Sequence, residues 1–261
     1  VSIWKSFFYS LYSPTMIGRF RMQKIGRTIL YIFLLVLITS IPAAISISST
    51  INMAGERLEL VLSDEIPDYS IGSGSISVEE GSSPYMTQTD GTVIILDDTG
   101  EVTPDDVAGE TDVTALLDDR VLVMDEGEQN EFAYGEFSFT KEELQEATAS
   151  FLELLPAYTA LALLLLYLLA SGVKFLGVFA ISGIGLLLKK IRPTRLQYRH
   201  IWVMSAYIAT LPTVVGALLD TFIPEIDTWL FNDFSFILYW LMVLVIFILV
   251  LRTLPKQKPH Q

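Results

Sequence analysis

Four long apolar runs decide most of what this chain can fold into. Residues 28–46, 201–219 and 234–251 contain no charged side chain, and 151–188 contains only Glu153 and Lys174. A run of 19 residues at about 1.5 Å each reaches ~29 Å, close to the thickness of a bilayer's hydrocarbon core. In lipid every backbone N–H and C=O must find its partner within the segment, so these runs predict helices. Unbroken apolarity also excludes the alternating strands of a membrane barrel. The first run is longer than the apolar core of a cleaved leader and follows a long basic stretch, so it reads as a signal-anchor.

Charge divides the chain in the same places. The 261 residues carry a net charge of −13, but residues 50–146 hold 25 Asp/Glu against Arg57, Arg120 and Lys141, a net of −22. The remainder carries +9. One chain therefore addresses two solvents. This partition excludes a soluble globular enzyme and a nucleic-acid binder with a basic face, and the lack of cysteine excludes a disulfide-stapled module.

The basic residues predict an orientation. They cluster at Lys5–Arg27, at Lys189–Arg199 and at Arg252–Lys258, with no acid among them. The positive-inside rule assigns all three clusters to the cytoplasm, so 50–146 and the acidic stretch 220–233 lie outside. That pattern requires 151–188 to cross once. A capping box at Thr140-Lys-Glu-Glu143 starts a helix above the membrane, which enters near Glu153 and ends at a hinge at Ser171-Gly172. Lys174 then reaches the inner headgroups, and 175–188 is re-entrant, bent or buried in the bundle. The alternative is two short spans there and five in all. Pro212 is expected to kink the third span.

The flanks carry further signals. Ile3, Trp4, Phe7, Phe8, Leu11 and Tyr12 recur at helical spacing, and Ser13-Pro14 caps a second short helix. This stretch is either an interfacial flank on an anionic leaflet or a docking helix. Within 50–146, Thr92–Leu96 and Val121–Met124 predict strands, with Ile76–Val78 and Phe132–Phe139 as weaker ones. Val113–Leu117 suggests a short helix, and the Ser/Gly-rich 72–81 a mobile loop.

Chemistry-bearing constellations are sparse. The acidic cluster Asp97, Asp98, Glu101, Asp105 and Asp106 lacks the spacing of a helix-loop-helix calcium site and reads first as a solvated face. His200 and His260 are too few for a zinc site, and no thiol nucleophile exists. A serine–lysine pair of Lys174 with Ser171 or Ser182 is the sole conceivable catalytic grouping. No catalytic, cofactor-binding or metal-ligating residue is therefore assigned, and no cofactor is expected.

The N-terminal residues Phe7-Phe8, Leu11-Tyr12-Ser13-Pro14, Arg19-Phe20-Arg21 and Gly26–Tyr31, a first span ending in Ile41-Pro42, and a large insert before the remaining spans resemble one family. It comprises uncharacterised multi-span membrane proteins of Gram-positive bacteria, some labelled as maltodextrin-utilisation proteins, and is remotely similar to Yip-type membrane proteins. The resemblance implies no catalytic residues and only a weak pointer to an accessory of carbohydrate uptake.

The expected architecture is a polytopic α-helical membrane protein of about four spans, with a small sheet-containing extracytoplasmic domain after the first. Its parts are a cytoplasmic interfacial segment (1–27), a first span (28–48), an acidic domain (49–146), a bundle (147–251, with spans near 151–172, 201–219 and 234–251) and a cytoplasmic tail (252–261). Functionally the chain reads as a non-enzymatic accessory, regulatory or scaffold subunit of the plasma membrane, both termini inside. Its partners are the bilayer and a membrane or envelope protein, not nucleic acid; its oligomeric state is open. The alternative is a component of a solute transport system or an oligomeric channel.

Overall fold

A computed structural model describes residues 2–89, 91–107, 110–125, 128–136, 138–189, 196–222 and 232–255. The second basic cluster beyond Lys189 as far as Arg195, most of the acidic stretch 220–233, Lys256, Lys258 and His260 lie outside them. The chain forms two compact units, residues 1–47 with 160–261 and residues 48–159.

The first unit is helical. α1 (Ile3–Tyr12) and α2 (Pro14–Phe20) are separated by Ser13, whose hydroxyl accepts from the Met16 amide while Pro14 fills the first helical position. One face of each helix belongs to the core. Phe7, Ile17 and Phe20 are buried in one core with Tyr31, Ile32 and Leu35, leaving Trp4, Phe8 and Tyr12 exposed. α3 (Ile25–Val61) is longer than its apolar run and carries Pro42. α4 (Lys141–Leu188) extends for 48 residues, and its start is the expected capping box: the Glu143 amide donates to Thr140 Oγ1, and Glu143 Oε2 accepts from the Thr140 amide.

α4 corrects one expectation. It passes through Ser171-Gly172 without a break, so there is no hinge and no re-entrant turn. A glycine costs a helix only about 1 kcal/mol, whereas opening backbone bonds away from water costs several. The segment after 174 is nonetheless inside the bundle, because Val178, Ile181 and Ser182 are buried. The other face of α4, with Leu165, Leu169, Val173 and Leu176, stays uncovered by protein.

The third apolar run is two helices, α5 (Tyr198–Ile208) and α6 (Thr210–Phe222). Pro212 has no N–H to offer the Ile208 carbonyl, the last of α5, and the chain steps at Ala209. α7 (Asn232–Thr253) completes the unit. At its centre Phe20, Tyr207 and Tyr31 make tilted ring contacts, with centroids 4.8 and 4.3 Å apart, and Tyr31 Oη lies 2.5 Å from Thr210 Oγ1. Four helical segments, 25–61, 141–188, 198–222 and 236–253, are long and apolar enough to cross a membrane.

The second unit joins the inner parts of α3 and α4 to two sheets. β1 (Tyr69–Gly72) and β2 (Ser75–Val78) form a hairpin, with β8 (Phe139–Thr140) on the other edge of β1. The stretch 72–81 is thus not a loop throughout. Ser73 and Gly74 both take positive φ, 55° and 85°, which matches the two-residue turn that follows strand twist. The larger sheet runs β3-β4-β5-β6-β7 over Tyr85–Thr89, Thr92–Leu96, Asp112–Leu116, Arg120–Asp125 and Glu128–Ala133. Val113–Leu117, expected as a helix, is mostly β5. It is parallel to β4 and antiparallel to β6, and so central in the sheet. Both faces are covered. Ile94 and Leu96 pack towards Val61, Leu62 and Ile66, while Val93 and Ile95 pack with Val107, Val113 and Leu122.

The three cations of the acidic segment are each matched with acids. Arg120 pairs with Asp119 and Glu131 at 2.7 Å each, an exposed cluster worth little. Lys141 is buried, donating to the Ile66 carbonyl at 2.5 Å with Asp68 at 3.8 Å. Arg57 does most. Asp112 and Asp125 are direct cross-strand partners, a like-charge pairing that disfavours the ladder. The Arg57 guanidinium lies 3.0 and 3.1 Å from them and only 13% exposed. Arg57→Leu is expected to destabilise this unit by about 2 kcal/mol, a buried-pair loss discounted for the half-exposed Asp125. Thermal unfolding should show the loss, and Asp125→Asn in the same chain should recover part of it.

Candidate functional site

Each unit contains a concave site with polar groups at its wall. In the sheet unit, a groove of about 490 Å³ opens between α3 and the sheet. Leu58, Val61, Leu116, Val121 and Val123 make its floor apolar. Two features mark it as more than a packing defect. Thr114 Oγ1 is buried there without a hydrogen-bond partner, and Phe132, on the edge strand β7, stands 58% exposed at its rim. The Tyr69 phenol also lines it, and burial pushes its pKa up to about 12, so it is uncharged at neutral pH.

The acidic cluster does different work from that of a cation site. Asp97 is fully buried; Oδ1 accepts from the Thr99 amide at 2.9 Å and its hydroxyl at 2.5 Å, and Oδ2 accepts from the Val102 amide at 2.7 Å. Burial by itself would raise the carboxyl pKa, but bonds from Thr99, Val102 and Gly100 outweigh it and hold it below the ordinary 3.8. Asp98 accepts from the Val78 amide and Asp106 from the Thr103 amide and hydroxyl. These carboxylates therefore organise loops. Among the described residues no group of three metal-ligating side chains converges.

In the helical unit, a cavity of about 760 Å³ lies among α3, α4, α6 and α7. Lys174 lines it, half-buried, with Nζ donating to Thr213 Oγ1 at 2.8 Å and 5.6 Å from the centroid of the Tyr239 ring. Of its two possible settings, at the inner headgroups or inside the bundle lining a solute path, the contacts are those of a side chain that faces other helices. The ammonium turns into the bundle because a hydroxyl and an aromatic face on two other helices receive it, and neither is near it in sequence. On α3 the cavity is lined from Val36 to Ile47, the second half of the uncharged run 28–46 and its end. Among the described residues no carboxylate lies within 4.0 Å of the Lys174 ammonium.

A serine–lysine catalytic pair does not form. Ser182 donates to the Val178 carbonyl, and the buried Ser171 hydroxyl has no hydrogen-bond partner. His200 is at the start of α5, where Nδ1 accepts from the Gln197 amide at 3.4 Å, a capping role. Neither the groove nor the Lys174 cavity was legible beforehand as a site. For Lys174 the one signal was its isolation in a long apolar run.

Comparison with curated proteins and with solved structures returned no match. A family model described as "Protein of unknown function (DUF1189)" matches residues 4–251, which takes in both units and nearly every element described above. The chain therefore belongs to that uncharacterised family, as a member with four helices able to span a membrane and a sheet unit between the first two.

Proposed function

We propose that this chain is a non-enzymatic protein of the plasma membrane, an accessory, regulatory or scaffold subunit whose sheet unit is an extracytoplasmic sensing or docking module. The observation that supports this reading is the apolar groove with its unpartnered Thr114 hydroxyl and exposed Phe132. A pocket with an apolar floor and few polar groups is the usual form of a ligand or peptide site. In a bacterial setting of the Gram-positive type, the partner would be a membrane or envelope protein, of which a carbohydrate-uptake system is one class. Kinship with Yip-type proteins belongs to the same proposal.

A photo-crosslinking side chain at Phe132, in the full-length protein in its native membrane, is the test. One discrete adduct is expected, absent when Val123→Asp puts a charge into the groove. No adduct, together with purified protein that passes solutes across liposomes by itself, would overturn this reading and favour a transport component. The Lys174 cavity is the observation that favours that second reading, since transporters keep ionisable groups at mid-depth.

Orientation is tested separately. The chain has no cysteine, so single replacements report cleanly. Gln129→Cys, on the exposed β7, should react with an impermeant maleimide on intact cells. Met22→Cys, 70% exposed beside the first basic cluster, should react only after permeabilisation. The opposite pattern would reverse the topology.

A further inference from the structure

We propose that the cavity around Lys174 binds a small organic anion that carries hydroxyl groups beside its charge. The site is separate from the groove on which the proposed function rests. Its chemistry follows from which hydrogen-bonding groups are already committed. Lys174 has three N–H donors, of which one goes to Thr213. The remaining donors call for an acceptor, and a positive charge with no carboxylate within 4.0 Å among the described residues calls for an anion.

The walls add a second requirement. Thr39 donates its hydroxyl proton to the Leu35 carbonyl at 2.9 Å, Ser40 to the Leu37 carbonyl, Thr213 to the Ala209 carbonyl and Thr221 to the Ala217 carbonyl. Each hydroxyl has thus spent its proton on its own helix; Thr213 also accepts from Lys174 and pairs with Tyr239, while Thr39, Ser40 and Thr221 keep lone pairs for an incoming donor. A wall of acceptors selects a ligand that donates, which a bare carboxylate or phosphate cannot do. Hydroxyl groups on the ligand satisfy it.

Asp220 fixes the polarity of the site. It lines the same cavity, seven residues along α6 from Thr213, about 10.5 Å at helical rise. A carboxylate at one end and an ammonium at the other orient a bound anion with its charge at Lys174. The same chemistry occurs in a soluble sugar acid and in the glycerol headgroup of an anionic lipid. The second source has a structural argument of its own, because an apolar cavity of about 670 Å³ adjoins the first and shares Lys174, Ser40 and Tyr239 with it.

The experiment measures binding to the full chain in nanodiscs, using gluconate as the soluble probe against neutral sorbitol and unhydroxylated hexanoate. Wild-type protein in phosphatidylcholine discs is expected to bind gluconate about tenfold or more tighter than either control, the worth of one charge-assisted hydrogen bond. Lys174→Gln should remove the preference, and Lys174→Arg should keep it. If Lys174→Gln does not fold, Thr213→Val, which removes a hydroxyl and little volume, should weaken gluconate binding instead. For the lipid source, native mass spectrometry of discs with equal phosphatidylglycerol and phosphatidylcholine should show retained phosphatidylglycerol that depends on Lys174. Retention with no gluconate binding assigns the headgroup as occupant, and gluconate binding without retention assigns the soluble anion. Equal binding of all probes with no lipid preference, or selectivity that survives loss of both Lys174 and Thr213, would overturn the proposal.

Discussion

Gly185→Leu is expected to abolish the folded helical unit. A Cβ at this position would lie 2.4 Å from Phe247 Cζ and 2.6 Å from Ile201 Cγ2. Both neighbours are fully buried, and Phe247 is the largest side chain of α7 in the core, so neither has space to retreat into. Overpacking a dense core costs about 1–3 kcal/mol for small additions, and leucine adds four carbons where one already overlaps. The loss should exceed about 3 kcal/mol, a large part of the stability of an ordinary domain. Fluorescence-detected size exclusion after heating in detergent reads it directly. Gly172→Leu supplies the control, because nothing lies within 4 Å of its added Cβ, and leucine is the better helix former there. If the two variants melt alike, the close approach of α4 to α5 and α7 is wrong.

Asp97→Ala should be the most damaging single change in the sheet unit. It leaves the Thr99 and Val102 amides without their acceptor in the exposed loop that follows β4 and is tied down by the buried Asp97 carboxylate. Hydrogen bonds to a charged group contribute about 1.5–3 kcal/mol each and are not additive, so a loss of about 3 kcal/mol is expected. The pH dependence has a definite sign. The carboxyl pKa is depressed in the folded state, so the unfolded chain binds the proton more readily. Its stabilisation is complete well above the ordinary 3.8 and drains away as pH falls through the folded value. Thermal unfolding of the wild type should thus weaken below about pH 4, and Asp97→Asn should flatten that acid limb. An Asp97→Asn chain with an unaltered acid limb would show that other carboxylates carry the dependence.

Local chemistry explains which elements could be read in advance. The Thr140/Glu143 box, the Ser13-Pro14 cap and the β-branched run Thr92–Leu96 beside its turn involve residues within a few positions of one another, and each has a favourable local arrangement. Val113–Leu117 failed on the same ground. Five residues of mixed propensity fit a helical turn or a strand, and the choice went to β5 because β4 and β6 offer ladders on both sides. Gly172 and Gly185 look alike in the sequence. One faces open space and the other meets Phe247, a residue 62 positions away.

Residue types and runs alone therefore determine that this chain has long apolar helices able to span a membrane and an acidic, strand-bearing insert after the first. Those properties depend on solvent transfer and on neighbours along the chain, which are present in any conformation. Only the tertiary structure decided what the isolated charged groups do. It turned Lys174 inward onto Thr213 and Tyr239, set Arg57 between two opposed aspartates, and folded Asp97 onto its own loop rather than around a cation. A lone charge in a run of apolar residues states only that a partner must exist. Which partner it finds depends on the packing of helices and strands that are distant in sequence.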